Sequence, residues 1–282
     1  MEVEALTTSP EAPEPYAALE GFRRLVMEWM DANAVIPDDI PIPARRSPLS
    51  TELKQWTVQF RRKLGAQGWI APTWPHQYGG GGLTTQHAAI IQHELARRSL
   101  PPIQVSLMHT TALRVYGTDE QKRTLLASVL RGEVTMAHAF NELDHGSDLS
   151  ANTTSAIRDG DEYVITGRKD YITSIFPPDI VLCLAVTNPE APPAQRFSVI
   201  AVDTDTQGVL IKPENLLVPG REYKFYFSDV PVPRTRVIGE AGQGIEIAEF
   251  MVEMERGGIS SVPLARQREI ESRESQANES AQ

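Results

Sequence analysis

The stretch EFMVEMERGG, Glu249 to Gly258, carries three glutamates on a run of helical periodicity and sets one of them, Glu255, beside Arg256. A carboxylate removed from water becomes a stronger base, and such a glutamate could take a weakly acidic carbon-bound proton. The same residue could equally be a solvated glutamate near a helix end. Glu249, six residues before it, lies well off its face, and Glu253, two residues before it, points elsewhere on a helix.

Other chemistry is sparse. The six histidines, His76, His87, His93, His109, His138 and His145, show no H-x-x-x-H or H-E-x-x-H spacing and have no cysteine partners, so no metal site is expected. There is no G-x-S-x-G elbow and no Walker loop. The run YGGGGLT follows no strand and lacks the G-x-G-x-x-G spacing, which favours a flexible turn over a phosphate cradle. The lone cysteine, Cys183, sits in the apolar run DIVLCLAVT and is expected on a buried strand. The stretch AHAFNELDHGSDLSANTTSA reads as a strand end followed by a polar, glycine-bearing loop, a type that offers N–H groups and hydroxyls to a ligand.

The elements that must position these residues differ along the chain. Of its 282 residues, 41% are hydrophobic and 23% charged, with a net charge of −10. That suits two or three globular domains and offers no broad basic field for nucleic acid. The acidic, proline-bearing start is unlike a signal peptide, and no apolar run approaches the ~18–20 residues of a membrane span. A cytoplasmic protein is expected.

Residues 1–15 read as a disordered lead and 16–132 as a helical domain. Leu19, Phe22, Val26, Trp29 and Met30 share one helix face. Leu53, Trp56, Phe60 and Leu64 form a second stripe between Ser50, a candidate N-cap, and Gly65, a candidate stop. The four prolines of VIPDDIPIPARRSP exclude a helix between them. Thr84 caps a third helix with Ala88, Ile91 and Leu95 inward. Met108, Ala112, Leu113 and Tyr116 mark a fourth, ended by Gly117. Thr118 and Gln121 then make a capping box for a helix reaching Gly132.

From 133 to 239 the segments are short, β-branched and turn-bounded, including a hairpin around Asp159-Gly160 and two buried strands on either side of NPEAPPAQ. From 240 to 282 the chain turns helical again and ends in a polar tail. Pro263 threatens that helix, and a tail whose one large apolar residue is Ile270 is expected to fray. The fold class is therefore α+β: an N-terminal all-α domain, a middle antiparallel β-domain, and the start of a C-terminal helical domain.

Three stretches in order carry a resemblance. LGAQGWIAPTWPHQYGGGGLT looks like a helical domain at a Trp-Pro-x-x-Tyr-Gly-Gly turn. AFNELDHGSDLSANTTSAIRDGDEYVITGRKDYITS looks like a β-domain signature, in which a Glu and then Gly-Ser-Asp lead to Gly-x-Lys-x-(aromatic)-Ile-Thr. GREYKFYFSDVPVPRTRVIGEAGQGIEIAEFMVEMERGG looks like the passage into a first C-terminal helix. Together these resemble the acyl-CoA dehydrogenase family from about residue 17 to 265.

The resemblance implies FAD-dependent oxidation of an acyl-CoA thioester to the trans-2-enoyl-CoA, within fatty acid and lipid metabolism. It implies that Phe140 and Asn141 lie against the flavin, that Gly146 and Ser147 approach cofactor and the pantetheine arm, and that Tyr171 stands where the family has a stacking tryptophan. Thr173 would bond the flavin near N5, and Arg256 would lie near the CoA moiety. Glu255 matches the position of the base in members that carry it on the first C-terminal helix, though a Glu-Arg pair also occurs there when the base lies elsewhere. Asn141 replaces the usual threonine, and Leu143 to His145 replace the more usual Pro-x-Ala, which allows a different substrate or weaker flavin contacts.

Family members continue into a helical bundle that packs subunits together. The chain is therefore expected to be shortened and to work as a homo- or hetero-oligomer, passing electrons to an electron-transfer flavoprotein or similar acceptor. An apolar face including Ile245, Phe250, Met251 and Met254 is expected to be left exposed. Flavin oxidases and monooxygenases on the same scaffold, and a non-catalytic subunit, are the competing readings.

Overall fold

The computed structural model describes residues 16–43, 47–103, 105–146, 148–214 and 221–255. The lead 1–15, Ser147, Arg256, Pro263 and the tail with Ile270 lie outside them. The helical part comprises α1 (Tyr16–Asn33), α2 (Thr51–Ala66), α3 (Thr85–Ala96) and α4 (Leu107–Tyr116). A last rod runs from α5 (Asp119–Gln121) through a π-turn at Lys122–Leu126 into α6 (Ala127–Leu130).

Local chemistry sets the helix starts. The Ser50 hydroxyl accepts from Leu53 N, and the Thr84 hydroxyl accepts from His87 N. The Thr118–Gln121 box is complete in both directions. Gln121 also donates to the carbonyls of Thr235 and Val237, tying this helix to the β-domain.

Two glycine readings change. Gly65 does not stop α2 but lies inside it, where an added Cβ would stand 2.1 Å from the Arg131 carbonyl carbon. It is a close-approach glycine, and the left-handed residue beyond the helix is Gly68. The glycine run is not a flexible turn. The N–H groups of Gly80, Gly81 and Gly82 donate to Pro75, Ala71 and Trp74 carbonyls, and a Cβ at Gly80 would meet Trp74 O at 2.2 Å. Those N–H groups are spent internally and are not offered to a phosphate.

The middle region is an eight-stranded sheet: β1 (Met136–Ala139), β2 (Ser155–Asp159), β3 (Glu162–Thr173), β4 (Ile180–Val186), β5 (Phe197–Asp203), β6 (Val209–Pro213), β7 (Glu222–Pro233) and β8 (Val237–Ile238). The order is β6-β7-β3-β2-β4-β5-β8, with β1 beside β4. The hairpin pairs Asp159 with Glu162. Most pairings are antiparallel, as expected, but β1 runs parallel to β4, from Met136↔Ile180 to Ala139↔Cys183. β6 carries no strong alternation and is recruited by pairing with β7.

β4 is apolar on both faces because it has a core on each side. Val181, Cys183 and Ala185 face the core within the sheet, while Ile180, Leu182 and Leu184 face the helices. Cys183 is fully buried, and that burial pushes its thiol up to about 11, which leaves it inert.

The last helix, α7 (Gly244–Glu255), corrects the expectation of an exposed apolar face. Phe250 and Met251 are buried, and Ile245 and Met254 pack on the same core, which joins α4, the Leu125–Leu130 helix, β4, β5 and α7. Tyr116 meets Phe250 edge to face at 5.4 Å. The face is covered by the chain's own α4 and sheet.

Candidate active site

β1 delivers the chain into Phe140 and Asn141, and Glu142 then pairs in an isolated bridge with Gly146. The buried Glu142 carboxylate organises the loop after it. Glu142 Oε2 accepts from Thr153 N and Thr153 Oγ1, both at 2.8 Å. Its Oε1 accepts from Thr154 N and Lys169 Nζ, both at 2.9 Å. Lys169 is fully buried, so this is a desolvated ion pair with nearly every polar atom matched. Burial pushes the Glu142 carboxyl up, but the Lys169 charge, its hydrogen bond and the two backbone N–H groups outweigh it and hold the group at about 2.

The pair closes one motif onto another. Asp170 N donates to Asn141 O at 3.0 Å, and Asn152 Nδ2 donates to Phe140 O at 2.6 Å. Asn141 and the Asp170–Thr173 segment of β3 thus form one wall, although 29 residues separate Asn141 from Asp170. On β3 two residues, Asp170 and Tyr171, oppose a single residue of β7, which is a bulge between Lys169↔Phe225 and Ile172↔Tyr223.

At that bulge Tyr171 adopts φ 59°, a left-handed conformation uncommon outside glycine. Its N–H donates to Glu214 Oε2 at 3.0 Å, and Lys224 Nζ lies 3.3 Å from Glu214 Oε1. Asp170 is held by Arg168 at 3.0 Å. These charges fix a backbone that would otherwise relax, and the tyrosine side of the bulge is left 39% exposed. Thr173, two residues on, is also exposed and pairs with Glu222.

The other expected residues are spread around this wall. Phe140 is buried, its ring 4.9 Å from that of His138. Gly146 has φ 57° and is exposed, and an added Cβ there would meet nothing within 4 Å. Glu255 ends α7 and is exposed, close enough to His138 for its charge to raise the affinity of that imidazole for a proton. Ser147 and Arg256 are outside the described residues. Among the described residues no group of three His, Cys, Asp or Glu is placed to hold a metal ion, and no helix is long and apolar enough to cross a membrane.

Sequence reasoning passed over Glu142 and Lys169 as site residues, although both stand in the motifs that carry the resemblance. It gave no signal for Glu214, whose role depends on strand pairing.

Comparison with known proteins agrees with this geometry. Residues 43–133 match the family described as acyl-CoA dehydrogenase, N-terminal domain, and residues 137–230 match its middle domain. The chain is 31% identical over 228 residues to the acyl-CoA dehydrogenase FadE26 of Mycobacterium tuberculosis, covering 78% of this chain and 57% of that protein. The solved structure named Tcur3481-Tcur3483 steroid ACAD superposes with a TM-score of 0.66 at 30% identity, covering 87% of this chain and 63% of that one. An acyl-CoA dehydrogenase from Geobacillus kaustophilus gives 0.65 at 25% identity, covering 87% and 64%. The chain thus spans little more than half the length of the curated relatives it matches.

Proposed function

The chain belongs to the acyl-CoA dehydrogenase family, and on that premise we propose that it serves the FAD-dependent oxidation of an acyl-CoA thioester to the trans-2-enoyl-CoA, with Glu255 as the base. The observation that carries the reading is the Asp170 N to Asn141 O bond, because it assembles two distant motifs into a single wall. The residues fit a flavin. A tyrosine is left partly exposed on strained backbone, an open glycine turn stands at Gly146, and a strand hydroxyl is free to solvent at Thr173.

Phe140, Asn141, Gly146, Ser147, Tyr171 and Thr173 would hold FAD, which supplies the acceptor for the substrate's β-hydride. Ser147 and Arg256 would meet the CoA portion. Glu255 takes the α-proton onto its carboxylate. It is exposed at the end of α7, so the desolvation that strengthens it comes from the ligands that cover it. Asn141 and Tyr171 orient, and the Glu142–Lys169 pair keeps their backbone fixed while charge develops nearby.

The comparison structure named for two proteins, Tcur3481-Tcur3483, supports a second subunit as partner. An electron-transfer flavoprotein or similar acceptor would reoxidise the flavin. The test is direct. The purified protein supplied with FAD is expected to show the flavin absorbance, and acyl-CoA thioesters are expected to bleach it. Replacing Glu255 by Gln is expected to slow bleaching by about 100-fold or more, the scale of a lost general base. A protein that takes up no flavin, or a Glu255→Gln variant bleached at the original rate, overturns the reading.

A further inference from the structure

The proposed reaction leaves one charged group beside Tyr171 without a role. β3 must put Lys169 and Ile172 on the same face of the sheet. Lys169 stands opposite Phe225 and Ile172 opposite Tyr223, two residues apart on β7. Residues two apart on a strand share a face, whereas residues three apart do not. Yet Lys169 must reach Glu142, and Ile172 is buried in the core that Phe225 belongs to and Tyr223 packs against. The bulge at Asp170 and Tyr171 reconciles the two, and it takes the Tyr171 N–H out of the ladder.

A side chain replaces the missing strand acceptor. Glu214 follows β6, and its own N–H donates to Glu222 O at 2.8 Å, so that it continues the β6–β7 pairing by one residue. Its carboxylate is nearly enclosed, with 3% of the side chain exposed. The two oxygens have separate tasks. Oε2 accepts from Tyr171 N at 3.0 Å, and Oε1 faces Lys224 Nζ at 3.3 Å. Lys224 in turn lies 4.0 Å from Asp170 Oδ1, which also accepts from Arg168 Nε at 3.0 Å. Two cations and two carboxylates therefore balance around the bulge. Charge-assisted bonds of this kind are strong enough to hold a tyrosine at φ 59°, where its Cβ crowds the following carbonyl.

We infer that Glu214 is a positioning residue for the proposed reaction: its carboxylate, braced by Lys224, captures the Tyr171 N–H and so keeps the left-handed turn that presents the Tyr171 ring to the flavin. The inference rests on the reading of Tyr171 as a flavin contact, while its backbone half stands without that reading. A carboxylate suits the task because it accepts on both oxygens and has no N–H to offer. An aspartate is one methylene too short to bridge Lys224 and the Tyr171 N–H from the same backbone position. Glutamine keeps the acceptor and gives up the charge. Glu214 acts only through Tyr171.

The test is amide hydrogen exchange on the full chain labelled at tyrosine nitrogen, without FAD, with the Tyr171 signal assigned through Tyr171→Phe. The Tyr171 amide is expected to be protected. Glu214→Ala and Glu214→Asp are each expected to speed its exchange by about tenfold or more, the scale of one lost charge-assisted hydrogen bond. Glu214→Gln is expected to keep most of the protection. Exchange unmoved by both Ala and Asp, or the same loss in Gln as in Ala, overturns the inference.

With FAD bound, an aromatic ring against the flavin quenches its fluorescence. Glu214→Ala is expected to raise the flavin fluorescence, and Glu214→Gln to leave it near that of the parent. In a Tyr171→Leu background Glu214→Ala is expected to change nothing further, because the ring through which it acts is gone. A group that only stiffens the sheet would move both backgrounds alike, and that result overturns the positioning role. The two readings fail separately. A chain with the expected amide behaviour that takes up no flavin sinks the proposed reaction and keeps the Glu214 clamp on Tyr171. A chain whose flavin is bleached by acyl-CoA while its Tyr171 exchange ignores Glu214 sinks the clamp alone.

Discussion

Lys169 and Glu142 hold the candidate site together from beneath, and their energetics are asymmetric. Removing one partner leaves the other charge buried, so Lys169→Met is expected to cost about 3–5 kcal/mol in urea denaturation. The pH dependence comes from the Glu142 carboxyl, held at about 2 in the fold against an ordinary 4.5. A depressed carboxylate contributes its full stability above the unfolded value and loses it as pH falls toward the folded one. Stability on the order of 3 kcal/mol is therefore expected to disappear between about pH 4.5 and 2. In the Lys169→Met variant the charge that depresses the Glu142 carboxyl is gone, so that acid-dependent loss should shrink or reverse, and an unchanged loss between those pH values would remove the pair from this role. At this scale the sequence was partly legible. Tyr171, Asn141 and Glu255 stand out through their motifs. Glu214 does not, because it meets Tyr171 only once β6, β7 and β3 are paired.

Elements whose ends are set by neighbours in the chain could be read directly. Ser50, Thr84 and the Thr118–Gln121 box cap the helices expected of them, because a cap needs only three or four residues of context. Features that depend on distant segments could not be read. The parallel pairing of β1 with β4, the recruitment of β6 and the burial of Phe250 and Met251 beneath α4 are all decided by tertiary partners. Gly65 shows the difference at one position, since its sequence context marks a helix end while the structure uses it to admit the Arg131 backbone. A methyl group there meets carbonyl atoms, which cannot rotate aside as a side chain could. Gly65→Ala is therefore expected to destabilise by about 3 kcal/mol or more despite its favourable helix propensity. A variant as stable as the parent in urea denaturation would mean that α2 and the Arg131 backbone separate freely.

Across the whole molecule, apolar packing divides the chain differently from its secondary structure. α1, α2 and α3 share one core around Val26, Met30, Phe60, Leu64, Trp69 and Ile91. α4 and the Leu125–Leu130 helix belong instead to the core built on β4, β5 and α7. The layers are joined by polar staples, including Arg61 Nε to Gly132 O at 3.0 Å and Arg221 Nε to Ser47 O at 3.0 Å. Hydrogen bonds from a charged guanidinium add about 1.5–3 kcal/mol each, less than a shared apolar core, so the two parts can open at different free energies. Among the described residues the candidate site lies outside α1–α3, on β3, α7 and the loop after β1. Native-state hydrogen exchange is expected to show α1–α3 amides exchanging through an opening that leaves α4, β4, β5 and α7 protected. Bound flavin is expected to raise protection in β1, β3 and α7 more than in α1–α3. A single common opening free energy for all helices would show that the staples couple the two cores into one cooperative unit. The wall around Asn141 and Tyr171 would then depend on the integrity of α1–α3.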